Sequence, residues 1–403
     1  THSLVGLESN TEYVYRFVVA GSGREPWYWA DDDGKFLEET RSRKVTTEWH
    51  RFRTRPGDPQ PRSLFVALTG SDRNTGASAT DAWRTLVHAT NQLRPGDTLN
   101  VQAGTYAEFV PLRVTGDAGR PITIRGEEGG VVRLDGTGRV RPTGLRVASK
   151  FHVHLDRFHL RHFGADEYLV TRSASAVEIL DGAHVRVSRF LYDGRGPGYA
   201  ALFLHGYGTR HLTVDNCVAL HAWNGAAFKN VPHFLLRNSV FYNNQIIHFG
   251  LHNAPDEPFV MTRNIIADLI PIKSANTLIA MTAPNEFVLD HNAWFTRLPR
   301  DQRLLIRGSF PVRGERISGG YRFDELREQT GAERHSFYGN PGLPIAARLV
   351  SPQDAKGWSD IELNGGKDVS FRDFIAPLSI AAARASDGTL IGLEPGMFAE
   401  TAW

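Results

Sequence analysis

Ala201 to Asn253, ALFLHGYGTRHLTVDNCVALHAWNGAAFKNVPHFLLRNSVFYNNQIIHFGLHN, reads as two consecutive turns of a coil. Each turn has a short apolar strand, a polar corner, a second strand and then a loop of variable length. The second strand recurs on both sides of this stretch, as HVHLDRFHL, HVRVSRFLY, HLTVDNCVAL, HFLLRNSVFY, PFVMTRNIIA and EFVLDHNAWF. One position in it holds Phe158, Phe190, Cys217, Ser239, Asn264 and Asn292, and the steps between neighbours are 32, 27, 22, 25 and 28 residues. Unequal steps above a common floor mean fixed strands and one loop free to grow. Small or amide side chains at that position predict a stack in which each amide bonds the rung above and below. A β-sandwich would instead show strands every 8 to 12 residues or so, with tight turn signals, and that spacing is absent. The pattern predicts an all-β chain whose main part is a parallel β-helix.

The chain as a whole agrees. Its 403 residues suffice for one long solenoid with a substantial core, and a net charge of +2 with no basic run argues against nucleic acid as a partner. A single cysteine allows no intramolecular disulfide, and Cys217 falls at the inward position of a rung, where it reads as a small core residue. No run of about 18 apolar residues marks a membrane span. The chain begins without Met or a signal peptide, inside what reads as a domain, and is expected to be a piece of a longer secreted or cell-surface protein.

Residues 1–56 show alternating Tyr13, Tyr15, Phe17 and Val19, then VTTEWHRFRTRP, as half-buried antiparallel strands would. The run from Asn10 to Tyr15 and the later WHRFRTRP resemble the tyrosine-corner strand and last strand of fibronectin type III domains, here only the back half of one. Asp31, Asp32 and Asp33 between them suit a solvated turn better than a calcium loop. Residues 57–63 continue a Pro-rich linker, and 64–403 form the solenoid. A helix that starts after Thr80 and Asp81, with Trp83, Leu86, Val87 and Thr90 on one face, is expected to cap its open end.

LFVALTGSDRNTG, the helix, RPGDTLNVQAGTY and the rungs beyond resemble the pectate-lyase-like superfamily of secreted bacterial right-handed parallel β-helix proteins. FDELREQTGAERHSFYGNPGLP and DFIAPLSIAAARASDGTLIG look like its closing segment, so the resemblance covers about five-sixths of the chain. It implies the fold and secretion but not the reaction, because members include lyases, hydrolases, epimerases and proteins without known activity. It also implies that the outer strand face and its rim loops hold a polymer.

The strands opening each turn are AVEILDG from Ala176, ALFLHG from Ala201, GAAFKN from Gly225, IIHFGLH from Ile246 and TLIAMTA from Thr277. Alternation sends Val177, Ile179, Leu202, Leu204, Ala226, Phe228, Ile247 and Phe249 inward. Glu178, His205, Lys229 and His248 are left outside, with His252 just beyond, as one patch about 15 Å long at a rung spacing near 4.8 Å. His221, Trp223, Asn243, Asn244, Asp268 and Lys273 are expected on the rim, where Trp223 offers a sugar a flat apolar face.

Removing the proton beside a uronate carboxylate needs a counter-charge for that carboxylate and a base near the carbon. Lys229 is the candidate base or neutraliser, with His205 and His248 one rung to either side as partners. His221, Trp223, Asn243, Glu178 and His252 are the expected substrate contacts. The acids near the patch are Glu178, Asp181 and Asp268, fewer than calcium-dependent members use, so no metal site is assigned and calcium stays an optional ion. These residues predict an extracellular protein active on an acidic polysaccharide, foremost a lyase. A hydrolase using Glu178 with a rim acid, and a non-catalytic surface or glycan-binding protein, are the alternatives. His152, His154, His159 and His162 look like a metal comb but lack the converging directions that zinc requires.

Overall fold

The computed structural model describes residues 10–16, 18–20, 44–53, 60–137, 143–165, 175–194, 199–200, 202–222, 225–244, 247–250, 259–269, 277–282, 287–295, 304–312, 315–340, 385–389 and 391–393. The chain divides into Thr1–Gln60 and Pro61–Trp403. In the first unit Glu12–Tyr15 pairs antiparallel with His50–Arg53, and Val18–Ala20 with Lys44–Thr46. Tyr13 stacks on Phe52 across the first pair, with ring centroids 5.8 Å apart. Asp31, Asp32 and Asp33 lie outside the described residues.

The second unit is a parallel β-helix of three nine-stranded sheets. One coil supplies Ser175–Leu180 to sheet one, Ala183–Ser188 to sheet two and Leu191–Asp193 to sheet three. The next coil supplies Leu202–Tyr207, Arg210–Asp215 and Val218–Leu220, each in parallel register with the strand before it. The pair that ends sheet one, Leu304–Val312 with Glu315–Tyr321, is antiparallel. Val177, Ile179, Leu204, Ala226 and Phe228 are fully buried, as alternation predicts. The side chains of Ile247 and Phe249 lie outside the described residues.

Sharp corners join the sheets, and side-chain-bearing residues make them in the left-handed conformation, where Asn, Asp and His are enriched. Arg157, Arg189, Asn216, Asn238, Arg263 and His291 hold φ between 51° and 61° at the corner from sheet two to sheet three. His152, His184, His211 and His233 do the same where sheet two begins, at φ 51° to 55°. Successive coils superpose these four imidazoles, with centroids 4.6, 4.4 and 4.0 Å apart and planes within 9° of parallel. The row of histidines in FHVHLDRFHLRHF is therefore dispersed. His152 joins the stack, His159 is buried, and His162 bonds Asp135 and Thr137.

The column from Phe158 to Asn292 runs through the core, each member fully buried. Phe158 and Phe190 meet edge to face, and below them the side chains bond upward. Ser239 Oγ accepts from Cys217 N, Asn264 Oδ1 from Ser239 N, and Asn292 Oδ1 from Asn264 N, at 3.0 to 3.1 Å. The N–H groups of Cys217, Ser239 and Asn264 thus find acceptors in the next coil.

The cap helix is shorter than expected, Leu86–Asn91, and buries Leu86, Ala89 and Thr90. Trp83 precedes it, bridged to Val66, with its indole N–H donating to Asn74 O at 2.7 Å. The start is fixed by acceptors rather than by periodicity. Thr85 Oγ1 accepts from His88 N, and both oxygens of Glu108 accept from Leu86 N and Val87 N at 3.0 Å. At the other end the helix Phe323–Thr330 buries Phe323 and Leu326 and stops at left-handed Gly331. Beyond it, Gly392 is clipped to the corners that follow sheet two, Asn238 Nδ2 donating to Gly392 O and Gly392 N to Arg263 O.

Candidate functional site on the outer face of sheet one

Strand pairing fixes which outward residues share a rung position. Pro111, Arg146, Glu178, His205, Ala227, His248, Ala280 and Arg307 form one column. Two residues along each strand, on the same face, a second column runs Ala148, Leu180, Tyr207, Lys229, Gly250, Thr282, Ser309. The expected row is therefore corrected. Lys229 is on the outer face and exposed, but its neighbours in register are Tyr207 and Gly250. His205 and the backbone position of His248 lie diagonal to it, about 8 Å away from the spacing of parallel strands.

Within the first column, Glu178 is mostly covered and sits 3.4 Å from Arg146 Nε, with Thr143 Oγ1 donating to its other oxygen at 3.4 Å. A carboxylate held this way is a counter-charge for Arg146 and a positioned acceptor, next in register to His205. Arg307, exposed, continues the column toward the closing end. The second column adds Tyr207, 43% exposed, directly beside Lys229. Tyr207, Arg146 and Arg307 were not singled out from sequence. The signal was available, since Tyr207 stands two residues after His205 and Arg146 faces Glu178 in the preceding coil.

One edge of this face is closed. Phe203, two residues before His205, is fully buried and stacks on Tyr192 at 5.9 Å. His221 is buried as well, at 0% exposure, in a left-handed corner where its N–H donates to Tyr242 O. Its expected contact with a polymer is withdrawn, because the coil wall encloses it. Asn244 also points into the protein, its oxygen accepting from Ala222 N and its amide donating to Ala219 O, both at 2.8 Å. Trp223, His252 and Lys273 lie outside the described residues, and of Asn243, His248 and Asp268 only the backbone is placed.

Among the described residues no trio of candidate metal ligands converges on this face. The outer face instead combines Arg146, Lys229 and Arg307 with Tyr207, His205 and one neutralised acid. Such a surface can hold a carboxylate and present an aromatic plane to a neutral ring face. No described helix is long and apolar enough to cross a membrane.

No family model matches the chain. An uncharacterized protein of Bacillus subtilis (strain 168), YwoF, is 33% identical over 100 residues, which are 25% of this chain. The match spans about a fifth, 19%, of that relative's length. Among solved structures, pectate lyase Pel9A superposes with a TM-score of 0.43 at 12% identity, covering 63% of this chain and 68% of the lyase. A rhamnogalacturonan lyase gives 0.37 at 13% identity over 78% of this chain and 98% of its own. An alginate lyase from Paenibacillus sp. str. FPU-7 gives 0.31 at 14% identity, over 62% and 99% of the two chains.

Proposed function

We propose that the outer face of sheet one binds an acidic polysaccharide and that the protein cleaves it by β-elimination. The observation that carries this reading is the exposed pair of Tyr207 and Lys229 in register, flanked on the same face by Arg146, His205 and Arg307. In elimination the base takes the proton on the carbon beside the uronate carboxylate. The glycosidic C–O bond breaks, a C=C bond forms in the ring, and the departing oxygen gains a proton. In this reading Lys229 serves as the base or as the carboxylate's counter-charge, and Tyr207 returns the proton or stacks on the ring. Arg146 and Arg307 supply positive charge along the chain direction, and Glu178 keeps Arg146 in place. His205, His248 and the rim residues Trp223, Asn243 and His252 complete the groove in this reading. Secretion, calcium as an optional ion, and a spacer role for a fibronectin-like first unit belong to the same proposal.

The test is the ultraviolet absorbance of unsaturated sugar ends on a panel of uronic-acid polymers, with and without calcium, for the wild type and Lys229→Ala. A signal lost in the variant supports the proposal. New reducing ends without absorbance would point to hydrolysis, and polymer binding without either product to a non-catalytic surface protein; both outcomes refute elimination.

A further inference from the structure

Four segments meet where sheet two ends. Asp290 is the last residue of the strand Phe287–Asp290, His291 is the left-handed corner after it, His335 follows the closing helix, and Asp387 belongs to the C-terminal segment. We propose that Asp290, His291 and His335 form a transition-metal site suited to zinc, with Asp387 orienting His291.

One donor atom from each of the three lies within 4.8 Å of the others. His291 Nδ1 is 3.6 Å from Asp290 Oδ2, and His335 Nδ1 is 2.7 Å from the same oxygen. With bonds near 2.0 to 2.1 Å, the edge of a tetrahedron around zinc is about 3.3 Å. The first separation already spans that edge. The second is a hydrogen bond whose proton the metal would replace, the two atoms parting by about 0.6 Å on the same bond lengths. His291 Nε2 lies 2.8 Å from Asp387 Oδ2, so Nε2–H donates to the carboxylate and the Nδ1 lone pair is left on the Asp290 side. A carboxylate bonded to the far nitrogen of a ligating imidazole is the usual outer support of a zinc site. The two rings lie 4.9 Å apart with planes 23° from parallel, so one must swing to aim at a shared ion. The imidazole torsion is broad, and both side chains are partly exposed, at 24% and 37%.

The arrangement is not a by-product of the coil repeat. In earlier coils the strand-end position holds Asp156, Ser188, Asp215, Arg237 and Thr262, and the corner holds Arg157, Arg189, Asn216, Asn238 and Arg263. Asp156 and Asp215 there are neutralised by arginines. At the last of these coils, carboxylate and imidazole coincide, and two later segments bring a second imidazole and a second carboxylate to them. Two nitrogens and one oxygen favour zinc or cobalt over calcium or magnesium, which take oxygen cages. A bound ion would fasten the segment after the closing helix, which carries His335, to the last coil, with solvent in its fourth position.

The full chain, stripped with a chelator, is titrated with zinc by calorimetry and with cobalt by its visible absorption. One equivalent is expected. His335→Ala should abolish uptake, and Asp387→Asn should keep the stoichiometry while weakening affinity about 10- to 100-fold, the usual loss for an outer-shell partner. No uptake by the wild type, or uptake unchanged in His335→Ala, overturns the proposal. If His335→Ala fails to fold by circular dichroism, the wild type decides alone: cobalt must shift the imidazole proton resonances of His291 and His335, and unshifted signals overturn the site. None of these outcomes bears on the outer face of sheet one.

Discussion

Replacing Asn264 with alanine tests whether the buried amide column holds the coils together. Asn264 has no exposed surface. Its oxygen accepts from Ser239 N at 3.0 Å, and its Nδ2 donates to Leu236 O and Thr262 O at 3.0 Å and to Asn292 Oδ1 at 3.1 Å. Alanine takes away the acceptor of the Ser239 N–H in a dry interior, which costs about 1 to 3 kcal/mol by itself. The lost donations and the small void bring the expected total to about 3 to 5 kcal/mol. Asn264→Asp should cost at least as much, because a carboxylate would face carbonyls that now receive N–H groups. Denaturant melts give the overall loss, and amide exchange at Ser239 reads the site locally. The double replacement with Asn292→Ala should show coupling of about 1 kcal/mol, since the two amides bond each other. A loss below about 1 kcal/mol for Asn264→Ala, with Ser239 still protected, would refute the idea that the column stabilises the stack.

Asp135 supplies a pH dependence. Burial works to raise its pKa, but hydrogen bonds from Thr137, His162 and Arg161 prevail and hold it far below the usual carboxylate range. Its stabilisation is therefore present above the ordinary carboxylate pKa near 3.9 and is lost as pH falls toward the depressed value; Asp135→Asn should flatten acid-side thermal melts in that window. Burial, followed by neighbouring cations, lowers the pKa of His152 (beside His184) and His154 (beside Arg186), against Asp117 in the first case and Asp156 and Asp215 in the second. The unfolded chain then binds more protons, so stability should fall as pH drops below about 6.5, and His154→Gln should reduce that slope. Cys217 is wholly buried and burial pushes its thiol far up, so alkylation should proceed only as fast as the coils open, measured against the unfolding rate. Tyr207→Ala should weaken polymer binding by about 1 kcal/mol, roughly fivefold, while sparing the melting temperature; an unchanged affinity would remove Tyr207 from the groove.

The coil period and the inward column were legible because both are set by side-chain volume and polarity in a dry core. Phe, Cys, Ser and Asn recurring at one position suit an inward stack and suit a solvated face poorly. The outer register was less legible. GAAFKN offers two alanines where a larger residue would mark the pairing, and counting along it places Lys229 two residues from its true partners. A slip of two keeps the face while moving the side chain about 6.6 Å along the strand, whereas a slip of one would have turned it inward. His221 was misjudged for another reason. It looks like a loop residue, yet one left-handed φ of 52° folds it into the wall. The proposed metal-ligand cluster was out of reach, because 45 residues separate Asp290 from His335 and nothing local announces their meeting.

The bond between Asn238 and Gly392 joins positions 154 residues apart, whereas the ladder bonds of the buried column span 22 to 28. Loop closure therefore favours a definite order of assembly, in which each coil settles on its predecessor as soon as both have been synthesised. The C-terminal clip, which brings Asp387 to His291, forms last. Until it does, Asn238 Nδ2 lacks the acceptor that Gly392 supplies and the apolar surface that Ile391 and Leu393 cover stays exposed, so a nascent chain stalled before residue 385 should be the species most prone to join a second copy.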